Sequence, residues 1–186
     1  MKKIILGIDA SRSAVEKTTG VERYSNEIIA AILNMKSGFE VRLYTPKTVK
    51  IFPAKMQKIM PFPRFWTLVR LSYEMLTNKP DILFVPSHVI PFFSPKNTLT
   101  TVHDISFKKY PEAYGRIKRF YLNWGTWRAI KKAKNIIVPS NGVKLDLLNF
   151  YNVEPEKVIV IHHGKQSLKK VDGTRDFIFK KFGIQK

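Results

Sequence analysis

The chain alternates short β-branched runs with longer amphipathic ones along almost its whole length, and that alternation leaves few architectures open. Residues 3–8 (Lys-Ile-Ile-Leu-Gly-Ile) read as a buried strand. Gly20 opens a helical pattern with apolar positions Val21, Tyr24, Ile28, Ile29, Ile32 and Leu33 near period 3.6, and Gly38 ends it. Strands are predicted over 39–44, 82–85, 98–102, 135–138 and 158–161, and helices over 64–76, 116–133 and 143–150, with a turn at 79–81. Strand-helix alternation implies right-handed crossovers and a mainly parallel sheet. The strands are apolar on both faces, as required when helices cover both sides.

The predicted fold class is therefore α/β: a three-layer Rossmann-like domain. Such sheets bind ligands beyond the carboxyl ends of their strands. This directs attention to residues 9–12 (Asp-Ala-Ser-Arg), 86–88 (Pro-Ser-His), 103–104 (His-Asp), 140–141 (Ser-Asn) and 162–164 (His-His-Gly).

A length of 186 residues suits one compact domain and is too short for two full ones. With 44% hydrophobic and 25% charged residues, the composition is that of a folded chain. The absence of cysteine excludes disulfides, thiolate zinc sites and cysteine nucleophiles, and fits a reducing, cytoplasmic setting. No apolar run approaches the ~20 residues that span a bilayer. The apolar start is interrupted by Gly7 and Asp9, which favours a first strand over a signal peptide. The formal net charge of +19 attracts polyanions: nucleic acid, anionic lipid headgroups or phosphorylated ligands.

Several nucleotide and hydrolase classes are excluded by pattern. No G-x-G-x-x-G follows the first strand, and the second ends in Tyr44-Thr45-Pro46 without an acid, against a dinucleotide site. No P-loop and no G-x-S-x-G elbow occur.

Four segments in order carry a family resemblance. The first strand runs into Asp9-Ala10-Ser11-Arg12, and the next helix begins Thr18-Thr19-Gly20-Val21-Glu22-Arg23-Tyr24. Thr101-Val102-His103-Asp104-Ile105 is followed by Tyr110-Pro111-Glu112. Ile136-Ile137-Val138-Pro139-Ser140 leads to Lys144-Leu145-Asp146-Leu147 and Tyr151-Asn152-Val153, and Val158-Ile159-Val160-Ile161-His162-His163-Gly164 closes the series. Together they resemble the N-terminal domain of glycosyltransferase family 4, mannosyltransferase-like members included, which is one half of a GT-B fold. Two positions depart from the family pattern: Glu22 stands where a second glycine is common, and His163 where asparagine is usual.

The resemblance implies a retaining transferase that takes its sugar from a nucleotide-sugar donor, uses no cofactor and no metal ion, and acts on a glycan or lipid-linked acceptor. No Asp-x-Asp motif is present, in agreement with metal independence. Residues 1–170 would form the acceptor-side domain and 171–186 a linker and helix leading to a C-terminal donor domain. The family's Arg-Lys pair and Glu-x7-Glu motif do not occur in these 186 residues, so the chain alone is expected to lack activity.

The resemblance places Gly20 against the donor diphosphate; a helix start with unpaired N–H groups suits that, and also suits an ordinary helix entry. His103 would lie near the transferred sugar, with Asp104 orienting it or binding acceptor hydroxyls; the alternative is a structural pair capping the next segment. Arg12 suits bidentate phosphate binding and Arg23 an acceptor group, with a solvated helix face the alternative for Arg23. Ser140 and Lys144 could meet the donor phosphate, or be a strand-end serine and a surface lysine.

Two stretches mix bases with aromatics: 55–73 and 116–134. Either could contact an anionic membrane surface, although the aromatics of the second, at helical spacing, are expected to face the core. Two other readings remain: a basic nucleic-acid-binding module, against which stands the absence of any recognised motif, and a non-catalytic subunit completing another chain's cleft.

Overall fold

The computed structural model describes residues 3–15, 19–35, 38–164 and 181–183. Seven strands form one all-parallel sheet in the order β3-β2-β1-β4-β5-β6-β7. They are β1 (Ile5–Asp9), β2 (Glu40–Thr45), β3 (Gln57–Ile59), β4 (Ile82–Val85), β5 (Thr98–Thr101), β6 (Asn135–Val138) and β7 (Val158–Val160). The helices are α1 (Gly20–Asn34), α2 (Ser72–Thr77), α3 (Ser106–Lys109), α4 (Arg116–Lys132) and α5 (Asn141–Phe150). The three-layer Rossmann-like expectation holds, with every pairing parallel.

Strand periodicity separates the core into faces. Ile8, Leu43 and Phe84 pack with Ile29 of α1, while their neighbours Tyr44, Leu83 and Val85 pack with Leu71 and Met75 on the other side. A third cluster joins Val102, Ile136, Val138 and Val158 to Ile130 of α4 and Leu147 of α5. The chain winds from β1 outward to β3, then returns to place β4 on the other side of β1. That reversal opens a crevice beyond the carboxyl ends of β1 and β4, the usual ligand position in such sheets.

Beyond the unpredicted short helix α3 and shifts of one or two residues at element ends, three differences from the sequence expectation matter. Edge strand β3, unpredicted, pairs Leu43 with Gln57 and Thr45 with Ile59. The helix expected over 64–76 does not begin at 64. Phe65 has φ 55, a wide turn over Thr67–Leu71 follows with Leu71 N–H donating to the Trp66 carbonyl at 2.9 Å, and only then does α2 start. Most aromatics of 116–134 do not face the core: Phe120 is 73% exposed and Tyr121 and Trp127 are also exposed, with Ile117 at 88%, while Trp124 is half-buried. The helix packs inward through Leu122, Gly125, Thr126, Ala129 and Ile130 instead. The expected linker and helix over 171–186 lies, apart from 181–183, outside the described residues, as does the 170 boundary.

Candidate functional site at the crevice between the first and fourth strands

β1 delivers Asp9 to the floor of the crevice. Its carboxylate is buried and accepts from Ser11 N–H at 2.9 Å and from Thr67 Oγ1 at 3.1 Å. Burial raises its pKa, against the lowering effect of those hydrogen bonds and of Arg12. A single turn over Ser11–Ala14 then carries Arg12 across the mouth, where Nη1 stands 3.6 Å from Glu22 Oε1.

Glu22 explains its own departure from the family pattern. It closes a capping box on α1, accepting from Thr19 N–H at 3.0 Å and from the Thr19 hydroxyl. These hydrogen bonds, with Arg12, bring its pKa below the usual carboxylate value although burial opposes them. The N–H groups of Gly20 and Val21 in the first turn have no intrahelical acceptor. A Cβ built on Gly20 would meet nothing within 4 Å, so its surroundings are open.

β5 delivers His103 from the other side of β4. Its Nε2 donates to the Pro86 carbonyl at 3.1 Å, which fixes the tautomer and leaves Nδ1 as the acceptor in the neutral ring. Burial lowers the His103 pKa, assisted by His163; the Pro86 hydrogen bond, Asp104 and Glu22 act the other way. Tyr24 of α1 packs edge-on against His103 with centroids 4.7 Å apart, and its hydroxyl lies 3.2 Å from Thr101 Oγ1. His163, just past β7, completes an aromatic triangle, 4.9 Å from Tyr24 and 5.7 Å from His103. The Asp104 carboxylate does not hydrogen-bond His103. It is exposed and accepts from Ser106 N–H at 2.9 Å in a local turn before α3, which leaves it an electrostatic influence on the ring.

The structure thus ties Arg12 and His103 to the helix that begins at Gly20, through Glu22 and Tyr24 respectively. Ser140 ends β6 farther along the same edge, its Oγ accepting from Val143 N–H at 3.2 Å as the cap of α5. Lys144 is turned elsewhere: Nζ donates to the Val158 carbonyl at 2.8 Å, in a separate groove between α5 and β7. Arg23 is exposed on α1. His88, after β4, stands close enough to Arg12 and His103 to feel both charges; burial above all, then those charges, takes its pKa down to about 4, and its Nε2 is buried without a hydrogen-bond partner. In the sequence, His88 is marked by its position after a strand, and His163 both by position and by standing where the family usually has asparagine.

At this same edge, past β1 and β4, a groove of ≈ 500 Å³ is lined by Phe62, Phe65, Trp66 and Tyr121 together with Arg12, Thr67, Ser87 and Val89. Among the described residues, no group of three or more His, Cys, Asp or Glu side chains could hold a metal ion.

The sequence profile of Glycosyltransferase Family 4 matches residues 18–165. The O-antigen chain mannosyltransferase RfbU of Salmonella typhimurium (strain LT2) is 30% identical over 117 residues, covering 63% of this chain and 30% of RfbU. Among solved structures, WaaG, a glycosyltransferase involved in lipopolysaccharide biosynthesis, superposes with a TM-score of 0.62 at 14% identity, over 98% of this chain and 52% of WaaG. Anabaena Alr3699/HepE, solved in complex with UDP and glucose, gives a TM-score of 0.56 at 15% identity over 98% of this chain and 50% of HepE. The chain spans about half the length of these solved enzymes and less than a third of RfbU, and its fold is that of one half of a GT-B glycosyltransferase. The chain belongs to Glycosyltransferase Family 4.

Proposed function

We propose that this domain forms the acceptor-side wall of a sugar-transfer crevice. A second domain would supply the grip on a nucleotide-sugar donor, and transfer would retain the configuration at the anomeric carbon without a metal ion. The observation that supports this reading is that α1, which starts at Gly20, packs Tyr24 against His103 just past the end of β5. In the reaction an acceptor hydroxyl forms a bond to the anomeric carbon, the bond to the donor phosphate oxygen breaks, and the hydroxyl proton leaves with that phosphate. Charge grows on the leaving oxygen, and free N–H groups with a helix dipole stabilise negative charge. Arg12, held by Glu22, adds a fixed positive charge nearby. Burial lowers the His103 pKa and so favours the neutral ring, whose Nδ1 can accept a hydrogen bond from a hydroxyl of the donor sugar.

Sugar transfer tests the reading. The 186-residue chain and a form joined to a donor domain are incubated with radiolabelled uridine- and guanosine-diphosphate hexoses, and label is followed into a glycan or lipid fraction. Transfer by the joined form alone is expected. Robust transfer by the 186-residue chain overturns the division of labour, and the same residual transfer in His103→Ala as in the parent removes His103 from the site.

The exposed first half of α4 supports contact with an anionic membrane surface at the cytoplasmic face. Ile117 and Phe120 project among Arg116, Lys118 and Arg119, a pairing of apolar area with positive charge that suits lipid headgroups. No helix among the described residues is long and apolar enough to cross a membrane. Flotation that is indifferent to anionic lipid content overturns this contact.

A further inference from the structure

The groove that Arg12 shares with Phe62, Phe65, Trp66 and Tyr121 has a composition that selects its occupant. Phe62, Phe65 and Tyr121 present exposed rings, and Trp66 forms a buried wall with Nε1 donating to the Met60 carbonyl at 2.7 Å. Arg12 is the one charged side chain among the described residues that line it. Glu22 engages one edge of that guanidinium at Nη1, and a guanidinium carries five donors in a planar fork. Arg12 therefore belongs to both places, reaching Glu22 at the helix start on one side and the aromatic groove on the other.

The backbone at the rim provides an independent observation. Phe65 is the only non-glycine residue among those described with positive φ, at 55°, and its side chain is 67% exposed. A left-handed conformation at a bulky residue is costly, and exposure returns little of the cost through burial. The conformation keeps the ring at the mouth of the groove, between Pro63 and the wide turn that begins at Thr67.

We propose that this groove receives the acceptor, and that the acceptor carries an anionic group beside an apolar or ring-stacking moiety. The ring or apolar part lies against Phe62, Phe65 and Tyr121, and the phosphate or carboxylate meets Arg12. This rests on the sugar-transfer reading, and it names the acceptor class. Phe65 acts as the specificity platform, and Arg12 as the anion anchor that brings the acceptor beside the donor turn.

The test uses three probes without any donor present: phenyl glucoside 6-phosphate, phenyl glucoside and glucose 6-phosphate. Binding to the full chain is followed by calorimetric titration. The probe with both features is expected to bind at least tenfold tighter than either partial one. Arg12→Gln removes the advantage conferred by the phosphate. Phe65→Gly, which relieves the left-handed φ, weakens both phenyl probes at least fivefold with the thermal midpoint unchanged or raised, and Tyr121→Ser, on the exposed helix, weakens them too. Equal affinity for all three probes overturns the proposal, as does a Phe65→Gly protein that loses stability and keeps its affinity. Transfer fails separately: probe binding without nucleotide-sugar turnover in the joined form sinks the transferase reading, whereas turnover without selective probe binding sinks only the acceptor assignment.

Discussion

The rings of Tyr24 and His103 meet edge to face with centroids 4.7 Å apart, so the first helix bears directly on the histidine delivered by the fifth strand. The Tyr24 hydroxyl, 3.2 Å from Thr101 Oγ1, ties the same two elements a second time. Tyr24→Phe removes one hydrogen bond between part-buried groups and keeps the ring pair, at a cost of about 1 kcal/mol. Tyr24→Ala also loses the aromatic contact, worth about 0.5–1.5 kcal/mol beyond buried area, and frees the His103 ring. Urea unfolding is expected to rank the parent above Tyr24→Phe and Tyr24→Ala last. Equal midpoints for the two variants would show that the edge contact contributes nothing.

His88 gives the domain an acid-sensitive core. Its folded-state pKa is depressed from 6.5 to about 4, first by burial and then by the charges of Arg12 and His103. Sign follows from linkage: above 6.5 the residue is neutral in both folded and unfolded chains, and its full contribution is present. As pH falls from 6.5 toward 4 the unfolded chain takes up the proton first, and stability drops by about 3 kcal/mol. His103, depressed in the same direction, adds to the same slope. His88→Phe keeps a ring against Gly125 and Val89 while removing one titrating group. Denaturant midpoints between pH 4 and 7 should therefore fall less steeply in His88→Phe than in the parent. Parallel profiles would remove His88 from the account.

Gly7 sits where strand β1 passes beneath two rings. A Cβ at this position would lie 2.6 Å from Tyr44 Cε2 and 2.7 Å from Pro80 Cγ. Tyr44 is fully buried, so it has no open space into which to retreat. Gly7→Ala is expected to cost about 1–3 kcal/mol through overpacking. A thermal melt reads the effect; an unchanged midpoint would mean that Tyr44 of β2 and the Pro80 turn yield more easily than their packing implies.

Legibility in the sequence followed how local each cause was. β4 (Ile82–Val85) and β6 (Asn135–Val138) match expectation end to end, since each is an apolar run with a sharp boundary, Pro80-Asp81 before one and Pro139 after the other. β3 was invisible: Gln57-Lys58-Ile59 is a short, half-polar edge, formed because the side-chain amide of Gln57 holds the backbone at Val49 and Phe52. In α4, aromatic and basic residues recur around the whole helix, so spacing could not tell which turns stand free of the body. The Gly20 and His103 loops were legible from the family resemblance and from their places after strands. The triangle of Tyr24, His103 and His163 was not, because it depends on three elements far apart in the chain meeting in space. Lys144 looked available for phosphate in the sequence, and only the fold shows its ammonium on Val158.

Gly20 separates a structural from a ligand role with a single methyl group. It occupies the first position of α1, its φ is not in the left-handed region, and an added Cβ would meet nothing within 4 Å. Nothing among the described residues therefore requires glycine there. Alanine at a compatible position restricts the unfolded chain and stabilises by about 0.4–1 kcal/mol. If the helix start receives the donor diphosphate, however, the methyl group occupies the space through which phosphate reaches the backbone N–H groups. Gly20→Ala is thus expected to hold or raise the melting temperature while raising the donor KM at least tenfold in the form joined to a donor domain. Unchanged KM would remove Gly20 from the donor site, and a lowered melting temperature would assign it a structural duty that the open surroundings do not indicate.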